Sequence, residues 1–159
     1  MGAWGYKALE SDEGLDVVGF IESYISEESE PKKVTLVLSE LIEAMKEDGF
    51  FGASFDDIDF YFDNSAIALA ELYVAFKHTG ELDFDHEDEA KNLRERVQRL
   101  TSDKESINFL LRYLVDIKNE VPDKDGEREL VELWKESNYW DEWLGNLNYL
   151  IDELNAELE

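Results

Sequence analysis

The residues of this chain that could do chemistry are almost all carboxylates. There are 40 Asp and Glu against 15 Lys and Arg, for a net charge of −25, accompanied by only 2 His and no Cys. Carboxylates of that abundance first suggest metal binding, and the spacing argues against a specific site. A calcium loop needs oxygens at positions 1, 3 and 5, Gly at 6 and a bidentate Glu at 12. Starting at Asp83, Asp85 and Glu87 fit, but position 6 is Asp88 and position 12 is Arg94. Starting at Asp123, Gly126 comes too early. Di-iron bundles use Glu-x-x-His pairs, whereas His78 and His86 follow Ala75 and Asp83 at that spacing. Zinc needs more nitrogen or sulfur ligands than 2 His supply.

Nucleophilic and phosphate chemistry are equally short of parts. The chain has no thiol, no nucleophile-elbow glycine pattern and no Gly-rich phosphate loop. Adjacent acids such as Asp56 and Asp57 could serve acid–base catalysis, but among 40 acids such pairs arise by chance. The residue types therefore favour a protein that is not an enzyme over a carboxylate-based one, and no cofactor is expected.

What the acids can do is meet a cation. Two places interleave acids with aromatic rings, which are favoured anchors of interfaces. One holds Asp56, Asp57, Asp59, Tyr61 and Asp63; the other holds Tyr139, Asp141 and Glu142. These eight residues are the candidate partner-binding set, with Tyr61 and Tyr139 as its exposed aromatics. Trp140 and Trp143 share a stripe with Leu144 and Leu147, which assigns them to the core. The charge makes direct nucleic-acid binding unfavourable, because no counterions would be released from a phosphate backbone. It is uneven: Lys91 to Lys118 holds seven bases and four acids, a balance of +3, so the remainder carries −28. The acidic stretch ELDFDHEDEA precedes it, and Glu87–Lys91 and Glu95–Arg99 have the spacing of helical ion pairs.

The elements that position these residues read as helices. In PKKVTLVLSELIEAMKEDG, Val34, Val37, Leu38, Leu41, Ile42 and Met45 recur at helical spacing, with Pro31 in a first turn and Gly49 as a stop. The segment NSAIALAELYVAFKHTG is small-residue-rich and ends at Gly80. Ser102 followed by Glu105 reads as a capping box opening a central helix. Helices are also expected near residues 12–26, over GERELVELWKE, and from about Asn138 to the end. Six or seven amphipathic helices with short connections predict a single all-α domain over residues 1–159. Residues 50–63 resist this pattern: period 2 over Ile58, Phe60 and Phe62 fits a short strand, and an ordered aromatic loop or one helical turn fits equally.

No apolar run is long enough to span a bilayer, and the start has neither the basic region nor the apolar stretch of a signal peptide. Tyr6 stands where a myristoylation signal needs Ser or Thr. A cytoplasmic protein is expected, without a membrane partner. The opening MGAWG places Trp4 either against the core or outward as an anchor.

The MGAWG start, the LDVV that follows, the Ala-rich helix and ELVELWKESNYWDEWLGNLNYLIDEL together resemble a bacterial family catalogued as domain of unknown function 4259. Tyr6–Leu9 and Asp16-Val17 depart from the Gly-x-Phe and Asp-Trp pattern of that family. The resemblance implies a bacterial, single-domain, cytosolic protein and carries no catalytic residues. The leading expectation is a non-enzymatic acidic binding protein, inhibitor- or immunity-like, that recognises a basic protein partner. A carboxylate-based metal-dependent enzyme and a self-associating homodimer are the alternatives.

Overall fold

The computed structural model describes residues 3, 5–27, 34–82 and 96–159. Along them run a 3-10 turn (Ala8–Glu10), α1 (Asp12–Glu27), β1 (Val34–Val37), α2 (Leu38–Glu47), α3 (Phe60–Thr79), β2 (Val97–Thr101), α4 (Lys104–Lys118), α5 (Glu129–Lys135) and α6 (Trp140–Glu157). The architecture is a mostly helical bundle, as the apolar periodicity predicts, with one short two-stranded sheet added. Among the described residues, no helix is long and apolar enough to cross a membrane. Trp4, Pro31, the pair Glu87–Lys91 and Glu95 lie outside the described residues, whereas Arg99, expected to pair with Glu95 along a helix, stands in β2.

The central element is α3. Every residue from Asp63 to Val74 is buried, because Ala66, Ala68 and Ala70 let neighbours approach while Ile67, Leu69, Leu72 and Val74 fill the spaces between them. A helix that is apolar all round belongs inside a fold, and α1, α4, α5 and α6 pack around this one. The sequence pointed instead to α4 as central. That helix buries one side, through Ile107, Leu110, Leu114 and Ile117, and exposes Lys104, Arg112 and Lys118 on the other. Its stripe is the easier one to read, but a stripe marks a helix at the surface of a core.

Three boundaries differ from expectation for local reasons. Residues 34–37 form a strand rather than the first turn of α2; Val-Thr-Leu-Val suits a pleated surface, and β2 supplies a parallel partner. The register pairs Thr35 with Arg99, Leu36 with Leu100 and Val37 with Thr101. The cap of α4 sits one residue later than expected. Asp103 Oδ1 accepts from Ser106 N at 2.7 Å, and Ser106 Oγ accepts from Asp103 N at 3.1 Å. Helix α3 starts at Phe60, four residues before the Ala-rich run, because Asp59 caps it by accepting from Tyr61 N at 2.8 Å. Residues 60–63 are thus a helical turn, and 50–59 are the aromatic loop, with Phe50 and Phe51 buried. Gly80, at φ 74°, ends α3 in the left-handed conformation its type permits.

The N-terminal segment is fastened to α3 through one carboxylate. Glu71 is 7% exposed, and its Oε2 accepts from Ala8 N at 2.9 Å and from Asn146 Nδ2 at 2.8 Å, while Oε1 accepts from Leu9 N at 2.9 Å. One acid thereby joins the 3-10 turn, α3 and α6. Gly14 lets α1 start directly beside this turn, since a Cβ there would overlap the Ala8 carbonyl. Burial pushes the Glu71 carboxyl from 4.5 up to about 7, against the pull of its three hydrogen bonds and of Lys7. A folded-state value above the unfolded one means that the native state holds the extra proton between these two pH values. Its stabilising contribution is therefore complete below about pH 4.5 and lost as pH rises through about 7. Glu71→Gln does not titrate. In paired urea unfolding curves, the stability of the wild type relative to this variant should fall by on the order of 3 kcal/mol between those limits. A relative stability that instead rises with pH would contradict this.

Candidate acidic cleft

Asp59, the cap of α3, and Glu129, the first residue of α5, both line a cleft of about 330 Å³. One wall is the end of the 50–59 loop, contributing Asp56, Asp57 and Asp59 with Ile58 and Phe60. The other is the turn before α5, contributing Asp123, Asp125 and Glu129 with Lys124 as the one base among the described residues that line the cleft.

Each wall is shaped by its own backbone. Asp123 Oδ1 accepts from Asp125 N at 2.8 Å and from Glu127 N at 3.0 Å, and Asp123 N donates to Glu127 O at 2.8 Å. Gly126, at φ 80°, closes that turn. On the opposite side, Asp57 N donates to Ser54 O at 3.1 Å and Asp56 N to Ser54 Oγ at 3.3 Å. The loop behind this wall is held to α4 by rings: Phe55 lies 5.3 Å from Phe109 and 5.2 Å from Tyr113, and Arg112 covers Phe55 at 4.8 Å. Burial pushes the Tyr113 hydroxyl up to about 12.

Beneath the cleft the walls are joined by a bidentate ion pair. Arg128 Nε donates to Asp63 Oδ2 at 2.9 Å and Nη2 to Asp63 Oδ1 at 2.6 Å, and Nη1 donates to the Val121 carbonyl at 3.2 Å. Both side chains are 2% exposed. Asp63 lies one turn after Asp59, and Arg128 immediately precedes Glu129, so the pair fixes both rims from below. Burial pushes the Asp63 carboxyl from 3.8 up to about 6, while Arg128 pulls it down. Both of its oxygens accept from the guanidinium, which is the arrangement of a carboxylate.

The structure divides the eight residues read from sequence among four places. Asp56, Asp57 and Asp59 meet in the cleft. Tyr61 is half-buried on another side of the helix start, its ring 5.7 Å from Phe50. Burial, together with Asp16, Asp48 and Glu13, raises its hydroxyl above 10. Asp63, expected to face a partner, is 1% exposed and committed to Arg128. Tyr139, at 52% exposure, sits with Asp141 and Glu142 at the start of α6, outside the cleft. Asp123, Asp125, Glu129, Arg128 and Glu71 are absent from the sequence-derived set. The Asp-x-Asp-Gly turn marked the second wall, but its proximity to residues 56–59 is set by tertiary structure alone. A single acid in the apolar run of α3 was the signal for Glu71.

The cleft concentrates negative charge without assembling a coordination sphere: among the described residues no group of three or more His, Cys, Asp or Glu could hold a metal ion. What it offers is a set of acceptors for a partner's Arg or Lys side chains, with Ile58 and Phe60 as apolar contacts. A family model described as Domain of unknown function (DUF4259) matches residues 2–146. No curated protein and no solved structure matches the chain.

Asp63→Asn would leave the Arg128 guanidinium buried without its counter-charge, which costs about 3–5 kcal/mol. Urea unfolding should show that loss, and Arg128→Met in the same chain should recover part of it. A loss under about 1 kcal/mol would contradict the structural weight given to the pair.

Proposed function

The chain belongs to the family described as domain of unknown function 4259, and for it we propose a role as a non-enzymatic, acidic binding protein of the bacterial cytoplasm whose cleft recognises a basic protein, in the manner of an inhibitor or immunity protein. The observation that carries this reading is the cleft itself, where, among the described residues, six carboxylates and one ammonium line two walls that the Asp63–Arg128 pair joins. A preorganised array of like charges has nothing to gain from its own fold, because like charges in proximity weaken the compact state. It gains when a complementary surface arrives. With a net charge of −25, the whole molecule would attract such a surface before contact, which speeds association more than it deepens affinity.

The carboxylates differ in what they have to spare. Asp123 is occupied by the backbone of its own turn, and Asp59 caps α3. Asp56, Asp125 and Glu129 have no ion pair among the described residues, so they are the groups offered to a partner. Such binding weakens as salt rises, since exposed charges are screened over about 8 Å at physiological ionic strength.

The test is affinity capture from the native cell lysate at low and high salt, comparing the wild type with an Asp56→Asn/Asp125→Asn/Glu129→Gln variant. One basic protein should be retained by the wild type at low salt, released at high salt, and lost or weakened about tenfold with the variant. Retention of the same protein by both forms would remove the cleft from the interaction, and an empty capture by the wild type would contradict the binding role.

A further inference from the structure

We propose that a second surface, the groove between α1 and α2, is a docking site for a cationic amphipathic helix of a partner protein. The groove consists of two adjoining depressions of about 440 and 380 Å³ that share Tyr24, Ala44 and Glu47. Phe20, Tyr24 and Ala44 form its apolar part, with Ser23 and Ser39 beside them. Phe20 and Tyr24 are both half-buried, with ring centroids 6.4 Å apart, and Phe20 continues to the buried Phe50 at 5.2 Å. Ala44, the small residue of α2 on this side, leaves the space above the apolar part into which a partner's side chain fits.

The rim decides the occupant. Glu40, Glu43, Glu47 and Asp48 stand along α2 and its end, and α1 contains no base at all. Lys46, the one base of α2, partly neutralises the rim residue Glu43: its Nζ lies 3.1 Å from that carboxylate and 4.7 Å from the centre of the Phe109 ring. Glu40, Glu47 and Asp48 carry no ion pair among the described residues. An apolar part inside an acidic rim selects an apolar stripe flanked by Arg or Lys. A second copy of this chain would bring like charge to like charge, which costs several kcal/mol across an interface. The rim from Glu40 to Asp48 spans about 12 Å at the helical rise. That is roughly two turns, so the contact is made by anchors at i, i+3 or i+4, and i+7.

This surface shares no residue with the acidic cleft, so the inference goes beyond the cleft reading and stands or falls separately. The probe is a synthetic amphipathic peptide of about 14 residues made of Leu and Arg, with a scrambled peptide of the same composition as control. Calorimetry should give saturable one-to-one binding for the amphipathic peptide and about tenfold weaker binding for the scrambled one. Ala44→Phe, which fills the groove, and Glu40→Gln/Glu47→Gln, which removes rim charge without touching the apolar part, should each weaken binding about tenfold. Asp56→Asn/Asp125→Asn should change it less than about twofold. Equal binding of both peptides would overturn the proposal by reducing the effect to charge alone. So would full affinity in both groove variants. Loss of binding only in the cleft variant would move the site to the cleft, sparing the cleft reading and sinking this one. A wild-type dimer that Ala44→Phe converts to a monomer would assign the groove to a second copy and also overturn it.

Discussion

Asp63 and Arg128 are 65 residues apart in the chain and in bidentate contact in the fold. The surrounding arrangement depends on that contact. Carrying two charges out of water costs several kcal/mol each, and only close geometry with full hydrogen bonding offsets it. Here both carboxylate oxygens are used, and the third guanidinium contact goes to the Val121 carbonyl. The pair is a demanding specification more than a source of net stability. A packing in which the start of α3 and the start of α5 did not meet would leave two buried charges unmatched. The cleft is the surface consequence. Its opposed acids repel one another, and the buried pair holds their walls at a spacing that repulsion would otherwise widen.

The second buried acid works on the same helix by another means. Glu71 has no ion-pair partner among the described residues and is held by neutral donors from the 3-10 turn and from Asn146. Asp63 and Glu71 are eight residues apart, two turns of α3, and each points to a different neighbouring layer. A helix apolar on every side has no preferred rotation about its axis. These two polar requirements supply one, orienting α3 toward α5 through Asp63 and toward the N-terminal turn and α6 through Glu71.

The helical class was legible from periodicity because α1, α4 and α6 each expose a polar side to water, which leaves the apolar stripe visible. Helix α3 was legible as a helix but not as the centre, since burial on all sides erases the stripe. The strand Val34–Val37 was hidden because Val34 and Val37 also satisfy helical spacing, and because its partner Val97–Thr101 lies some 60 residues away. Asp56, Asp57 and Asp59 were identifiable as a candidate surface, whereas Asp63 carried the same sequence signal and has the opposite fate. Nothing local distinguishes them: the difference is made by Arg128, whose position is decided by tertiary packing. The Asp-x-Asp-Gly turn of the second wall was visible, but its proximity to residues 56–59 was not, for the same reason, and both acid clusters came from composition that the whole chain shares.

The account turns on the claim that the Asp63–Arg128 pair holds the two walls of the cleft together. Amide hydrogen exchange on the wild type and on Arg128→Met tests this most directly. The account predicts that residues 52–62 and 121–129 lose protection together, while α4 and α6 keep theirs. Unchanged protection in either wall, or an equal loss throughout the molecule, would contradict it.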